Sequence, residues 1–397
     1  MKAHGINGSK ANAIVGGHIC LDIIPGLRRQ HFEFIPGALE ELGDAKISTG
    51  GCVSNTGIAL SRLGASVELV SRIGDDLLGD LLKQCLTRQG VDGNAMHQVP
   101  GEHTSYSIIL SPEGTDRMVL HHPGANDTFT SSDLHEAFEK SATLFHFGYP
   151  PLMHKMYCDG GTELREVFRK AKASGLITSL DMAYPDPASR AGRADWRSIL
   201  TRALPEVDIF LPSYEEIVHM LSGPRPENFW VRDEPDAILY DQIESLASSL
   251  LALGTPIVVL KLGTRGIYLR TGSKTSLDNL STILDIDAWA NRELWTTVFE
   301  ANLAGTNGAG DCTIAGFLYA VLHGFSPESA CTAACAVGGC SVEAPDATSA
   351  VQPWGSVETR LDQRWKKRQS TYLAQWTELA RGVFAGQKDR VDGAKSN

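Results

Sequence analysis

The segment best suited to chemistry is Gly305-Thr306-Asn307-Gly308-Ala309-Gly310-Asp311. Ile314, Phe317, Leu318, Val321 and Leu322 follow at helical spacing, and Gly324 marks the end of that pattern. A glycine-rich turn therefore feeds the start of a buried helix. The unpaired N–H groups of a helix start attract anions, and glycines let the backbone reach phosphate oxygens without an intervening Cβ. Asp311 has two readings in that first turn. It is a favourable acid at a helix start, or a general base where a phosphoryl group meets an attacking hydroxyl. The Gly-Ala-Gly string alone also reads as a packing turn. A Walker A loop is excluded, because GxxxxGK[ST] occurs nowhere in the chain.

A second glycine-opened helix begins at Gly50-Gly51-Cys52-Val53-Ser54-Asn55 and runs through Ala59, Leu60 and Leu63 to Gly64. Gly74-Asp75-Asp76 and Gly79 lie beyond it. Asn55 offers both a donor and an acceptor to a hydroxyl-rich ligand, and Asp22 is an acceptor suited to paired hydroxyls. Each also has a plainer reading, as a helix-start side chain or a turn cap.

The elements that must hold these groups alternate between strand and helix from Ala13 to about Gly338. Short apolar runs at Ala13–Val15, Val67–Val70, Leu144–Phe147, Ile177–Leu180, Val207–Leu211 and Ile257–Leu260 predict strands buried on both faces. Amphipathic stretches such as Asp76–Gln89 predict the covering helices. The fold class expected is α/β, a doubly wound and mostly parallel sheet. Residues 22–49 and 95–122 break the pattern and predict a small antiparallel sheet projecting from the core. Within it, Tyr106–Leu110 and Met118–His121 flank a turn at Ser111-Pro112-Glu113-Gly114. Thr296–Leu303 is a further strand candidate, and Gly223–Pro235, with three prolines, a loop. The core is expected over residues 13–355. Val357, Leu361 and Trp365, then Tyr372, Trp376 and Ala380, recur every four residues and predict a helical extension over 356–386. Residues 1–12 and 387–397 are expected to be disordered.

Composition narrows the function classes. The chain has 397 residues, with 36 basic against 47 acidic side chains and a formal net charge of −11. That balance argues against a nucleic-acid binder, which needs clustered Lys and Arg. No apolar run reaches the ~18 residues of a membrane span, and the first dozen residues lack an apolar signal core. A cytoplasmic location is expected. The eight cysteines form no CxxC pair and have no histidine at zinc-site sequence spacing, so they are expected to be small buried residues.

Taken in order, Asp22, Gly50-Gly51 with Asn55, Gly74-Asp75, and Gly308-Ala309-Gly310-Asp311 resemble the signature regions of the ribokinase (PfkB-type) carbohydrate kinase family. Gly124-Ala125-Asn126, Leu211-Pro212-Ser213-Tyr214-Glu215-Glu216 and Lys261-Leu262-Gly263-Thr264-Arg265-Gly266 extend the likeness across about residues 13–350. The resemblance implies a ribokinase-like core with a β-sheet lid, and ATP-dependent phosphorylation of a hydroxyl on a sugar or sugar acid. It implies that Asp311 is the base and that the amides of Gly308, Ala309, Gly310 and Asp311 form the anion hole. Asp22, Gly50, Gly51 and Asn55 would hold the acceptor. Ser213, Glu216, Lys261, Gly263 and Gly266 would serve ATP, with Glu216 holding Mg²⁺ through water. A homodimer through the lid is also implied.

Departures from the pattern qualify this picture. Gly305 stands where the family usually has Asp and Asn307 where it usually has Thr, which argues against activation by a monovalent cation. Ser213 replaces the common Asn of the metal motif. Cys52 replaces the Lys of ribokinases proper and argues against ribose. Asp181 matches the acid of a DPN-like motif, whereas Met182 and Ala183 do not, and Cys335 stands where Asn often lies near adenine. A nucleoside kinase of the same fold and a catalytically silent sugar binder are the alternative readings.

Overall fold

The computed structural model describes residues 12–28, 36–93, 96–111, 118–223, 236–369, 373 and 375–390. The turn expected at 112–114, most of the proline-rich loop, Tyr372 and the outermost termini lie outside the described residues. In chain order, β1 (Asn12–Gly17) is followed by the lid strands β2 (Cys20–Pro25) and β3 (Ala45–Gly50). The Cys52–Leu63 helix leads to β4 (Ser66–Val70) and β5 (Arg72–Gly74), and the Leu77–Arg88 helix to β6 (His97–Val99). Two more lid strands follow, β7 (Tyr106–Leu110) and β8 (Met118–His122). Next come β9 (Leu144–Gly148), β10 (Ile177–Leu180), β11 (Ile209–Phe210) and β12 (Ile257–Lys261). The last four are β13 (Ile267–Thr271), β14 (Glu293–Thr296), β15 (Thr377–Ala380) and β16 (Val383–Ala385).

Ten of these strands form one sheet in the order β15-β16-β14-β13-β12-β11-β10-β9-β1-β4. The pairings from β4 through β12 are parallel, and those from β12 to β15 are antiparallel. All six apolar runs lie in the parallel part, where both faces are covered. Alternation along β12 divides the core in two. Ile257 and Val259 pack in one cluster with Val15 and Phe317, whereas Val258 and Leu260 join Ile14 and Phe168 in the other. Phe317 and Phe168 are fully buried, and truncation of either to alanine would cost about 3–5 kcal/mol. The Cys52–Leu63, Ala309–Leu322 and Pro327–Ser341 helices cover the first face. The second carries the Thr162–Ala173, Trp196–Ala203 and Tyr214–Ser222 helices. Among the described residues no helix is long and apolar enough to cross a membrane.

The lid is a four-stranded sheet, β3-β2-β7-β8. It is mixed rather than antiparallel, because β2 and β7 run parallel, with Asp22 opposite Ser107. A long excursion through the core separates those two strands, so no hairpin fixes their relative direction.

The expected strand at Thr296–Leu303 is displaced toward the N-terminus. β14 ends at Thr296, where Thr297 N–H donates to the Gly382 carbonyl and the chain leaves the sheet.

The C-terminal extension also differs from the helix expected over 356–386. Among its described residues only Trp354–Asp362 is helical, and Arg364 takes left-handed backbone (φ 60°) just after it. Trp365 then stacks on Phe299, with ring centroids 4.6 Å apart. β16 pairs with the edge of β14, Leu294 opposite Ala385, so backbone bonding to that edge overrides the four-residue recurrence around Trp376. Trp376 packs edge-on against Tyr240 and Trp295. Residues 387–390, expected to be disordered, are held by Asp389 on Arg292 at 2.8 Å, and Asn12 already belongs to β1.

Candidate active site

The Ala309–Leu322 helix begins at Gly308, whose left-handed backbone (φ 67°) leaves the helix start without a side-chain cap. A Cβ there would lie 2.3 Å from the Ala347 Cβ, so only glycine fits the turn. The Ala309 amide donates to the Thr306 carbonyl at 3.3 Å. The amides of Gly308, Gly310 and Asp311 have no hydrogen-bond partner among the described residues. They form the positive end of the helix dipole.

Asp311 is the third residue of that helix and is 1% exposed. Its carboxylate is nonetheless in polar company. Asn55 Nδ2 donates to Oδ2 at 2.9 Å, and the Tyr149 hydroxyl lies 3.0 Å from Oδ1 and 2.8 Å from Oδ2. Burial raises the Asp311 pKa above the ordinary carboxylate range, against the opposing pull of Asn55, Lys261 and Tyr149. The Tyr149 pKa is itself pushed well up by burial and by the Asp311 charge, so the phenol stays a donor.

Two cavities meet at the glycine turn. One, of about 600 Å³, is lined by Lys261, Gly263, Gly266, Ala309, Gly310 and Cys335, with Arg368 of the C-terminal extension on its wall. The other, about 710 Å³, lies against the lid and is lined by Ile24, Lys46, Ser48, Gly305 and Asn307. Thr306 lines both. Asp311 lines neither, because Asn55 and Tyr149 cover its carboxylate.

Of the residues singled out from sequence, Lys261, Gly263, Gly266, Ala309 and Gly310 line the first cavity, whereas Asp22, Gly50, Gly51 and Asn55 line neither. Asp22 in β2 approaches Gly50 so closely that a Cβ on Gly50 would lie 2.3 Å from its carboxylate. Gly51 caps the helix that carries Asn55 to Asp311. Lys261 stands within the sheet rather than at its edge, and its ammonium meets Asp181 Oδ1 at 2.6 Å. Burial pulls that ammonium down, but Asp181, Glu216 and Asp311 outweigh it and hold the lysine above its ordinary range. Ser213 and Glu216 form a capping box on the Tyr214–Ser222 helix, with the Ser213 amide donating to Glu216 Oε2 at 2.7 Å. Neither lines the two cavities. The other Glu216 oxygen is of the hard type that magnesium-bound water takes.

Sequence reasoning missed Tyr149 and the pair His18 and His121. Tyr149 carries a signal only in three dimensions: left-handed backbone (φ 65°) in a bulky residue at the end of β9. His18 and His121 meet with their Nε2 atoms 3.3 Å apart, and the His18 ring stacks 6.0 Å from Tyr149.

Comparison with known proteins agrees with this architecture. Residues 12–354 match the model of the pfkB family carbohydrate kinases. The chain is 23% identical over 270 residues to an uncharacterized sugar kinase of Archaeoglobus fulgidus, covering 67% of this chain and 87% of that protein. It is 25% identical over 326 residues to the 2-dehydro-3-deoxygluconokinase of Bacillus subtilis, covering 78% and 85%. A probable fructokinase-3 of Arabidopsis thaliana matches at 26% identity over 45% of this chain and 50% of that protein. Among solved structures, the Arabidopsis thaliana ribokinase complexed with ribose and ATP superposes with a TM-score of 0.67 at 20% identity, covering 89% and 99%. A putative ribokinase II from E. coli with ATP and Mg²⁺ gives 0.65 at 19%, with the same coverage. With the family model spanning eight of the ten strands of the large sheet and the glycine turn, the chain belongs to the pfkB family of carbohydrate kinases.

Proposed function

We propose that this carbohydrate kinase transfers the γ-phosphoryl group of ATP to a hydroxyl of a sugar or sugar acid, with Asp311 as the general base. The observation that carries the reading is the position of the glycine turn. It separates a cavity fit for a nucleotide from one under the lid, with a carboxylate in the first turn of the helix. In this reading ATP lies along Lys261, Gly263 and Gly266, its phosphates toward the Gly308–Asp311 amides. Preorganised donors of that kind are worth roughly 3 kcal/mol each to a transition state.

The acceptor lies under the lid against Asp22, Gly50, Gly51 and Asn55, and its hydroxyl displaces Tyr149 from Asp311 to give up its proton. Glu216 and Asp181 supply the carboxylates for magnesium, Glu216 through water; the ion, when bound, neutralises phosphate charge. Gly305, which brings no carboxylate to the turn, supports independence from monovalent cations. Ile47, Met118, Val119 and Leu120 are exposed on the lid, which supports a homodimer formed there.

The test is turnover of ATP and Mg²⁺ with a panel of ketoses, sugar acids and nucleosides. Phosphorylation of a sugar or sugar acid is expected. Preference for a nucleoside would transfer the reading to nucleoside kinases, and tight sugar binding without turnover would leave a silent binder.

A further inference from the structure

The histidine pair carries more than a packing role. His18 lies in the link between β1 and β2, Cys20 opens β2, and His121 comes from β8 of the lid. Their donor atoms all lie within 4.8 Å of one another, and no other group of three such residues does so among the described residues. The two Nε2 atoms are 3.3 Å apart. Two metal–nitrogen bonds of about 2.0–2.1 Å at a tetrahedral angle impose a separation of about 3.3 Å, so both rings could ligate one ion as they stand. Burial keeps the imidazoles neutral, with the His121 pKa lowered to about 4 and that of His18 also well below its ordinary value. Ser107 Oγ meets the far side of the His121 ring, at Nδ1, at 3.0 Å and orients it, as outer partners of metal-bound histidines do. Cys20 Sγ lies 3.3 Å from Asp22 Oδ1, which puts a fourth donor in reach.

We propose that His18, Cys20 and His121 form a binding site for a thiophilic divalent cation of the zinc class, completed by Asp22 or water. Binding breaks the Cys20 S–H bond, forms the sulfur–metal bond and releases the proton to solvent; no electron is transferred. Because Cys20 and His121 belong to lid strands β2 and β8 and His18 to the link from the core strand β1, the ion fastens the lid to the core at that link. Because Asp22 is the expected acceptor ligand, the ion also competes with acceptor, a consequence that rests on the function proposed above.

Cobalt(II) is the probe. One equivalent added to the full chain is expected to give tetrahedral visible bands and a thiolate-to-metal charge-transfer band, and Zn²⁺ is expected to abolish both by displacement. Cys20→Ser should lose the charge-transfer band, and His121→Ala should weaken binding tenfold or more, with circular dichroism showing both variants folded. Absence of the thiolate band at one equivalent overturns the site, as does an unchanged spectrum in both variants. In turnover, Zn²⁺ should raise the acceptor KM of the wild type and not of Cys20→Ser. A charge-transfer band with an unmoved acceptor KM would uphold the metal site, with water as its fourth ligand, and overturn the competition with acceptor.

Discussion

Tyr149 holds Asp311 by both carboxylate oxygens, its hydroxyl 3.0 Å from Oδ1 and 2.8 Å from Oδ2. A base so engaged is stabilised in its charged form, and the hydrogen bond opposes the upward push of burial. Tyr149→Phe keeps the ring and removes the donor. The Asp311 pKa of the free enzyme should then rise, moving the acid limb of the kcat/KM–pH profile upward by about one unit, since a hydrogen bond to a charged group is worth about 1.5–3 kcal/mol. A kcat/KM profile that superposes on the wild type would show that Tyr149 does not tune Asp311 in the free enzyme.

Asp311→Asn tests the base itself. The amide keeps the size of the side chain and a partner for Asn55, but it cannot take a proton. Acceptor and nucleotide binding, measured by calorimetry, should stay within a few fold, while kcat falls by about 10²–10⁴. Turnover near that of the wild type would remove Asp311 from the role of base.

Much of this arrangement was legible in local pattern, and the rest depends on long-range pairing. Runs such as Ile257–Leu260 are apolar at every position because the central strands are covered on both faces, and that is visible in a short window. The glycine turn was legible for a similar reason: Gly308 is required by its own backbone. Tyr149 was not. It becomes a partner of Asp311 only because β9 ends beside the Ala309–Leu322 helix, a contact 162 residues distant in sequence. The C-terminal extension was misread because Trp376 and Ala380 fit a helical spacing, whereas the free edge of β14 offered hydrogen bonds that no window of the tail contains.

His146 makes a prediction about acid stability. It is fully buried in β9, bonded at Nδ1 to Ser179 Oγ at 3.0 Å, and burial lowers its pKa to about 3. The folded protein keeps this ring neutral, while the unfolded chain protonates it below the ordinary value of 6.5. The unfolded state therefore binds the extra proton between about pH 3 and 6.5, and stability falls as pH drops through that window. The contribution is about 1.4 kcal/mol per pH unit. Urea unfolding at pH 7, 6 and 5 should show the decline, and His146→Gln should flatten it by about that slope. An equal slope in the variant would place the acid sensitivity elsewhere.

The C-terminal extension is expected to act as part of the core sheet. Arg292 is fully buried, and its guanidinium pairs with Asp389 at 2.8 Å and with Glu328. Asp389 Oδ1 also accepts from the Glu293 amide at 2.9 Å, at the start of β14. A chain ending at Gly386 keeps β15 and β16 but leaves Arg292 with one carboxylate partner instead of two. Removing one partner of a buried pair costs about 3–5 kcal/mol, and the surviving contact with Glu328 reduces that to roughly 2–3 kcal/mol. Urea unfolding should report the loss, and Asp389→Asn in the full chain should reproduce most of it. If both proteins unfold at the wild-type midpoint, the last residues are tethered to the sheet without supporting it.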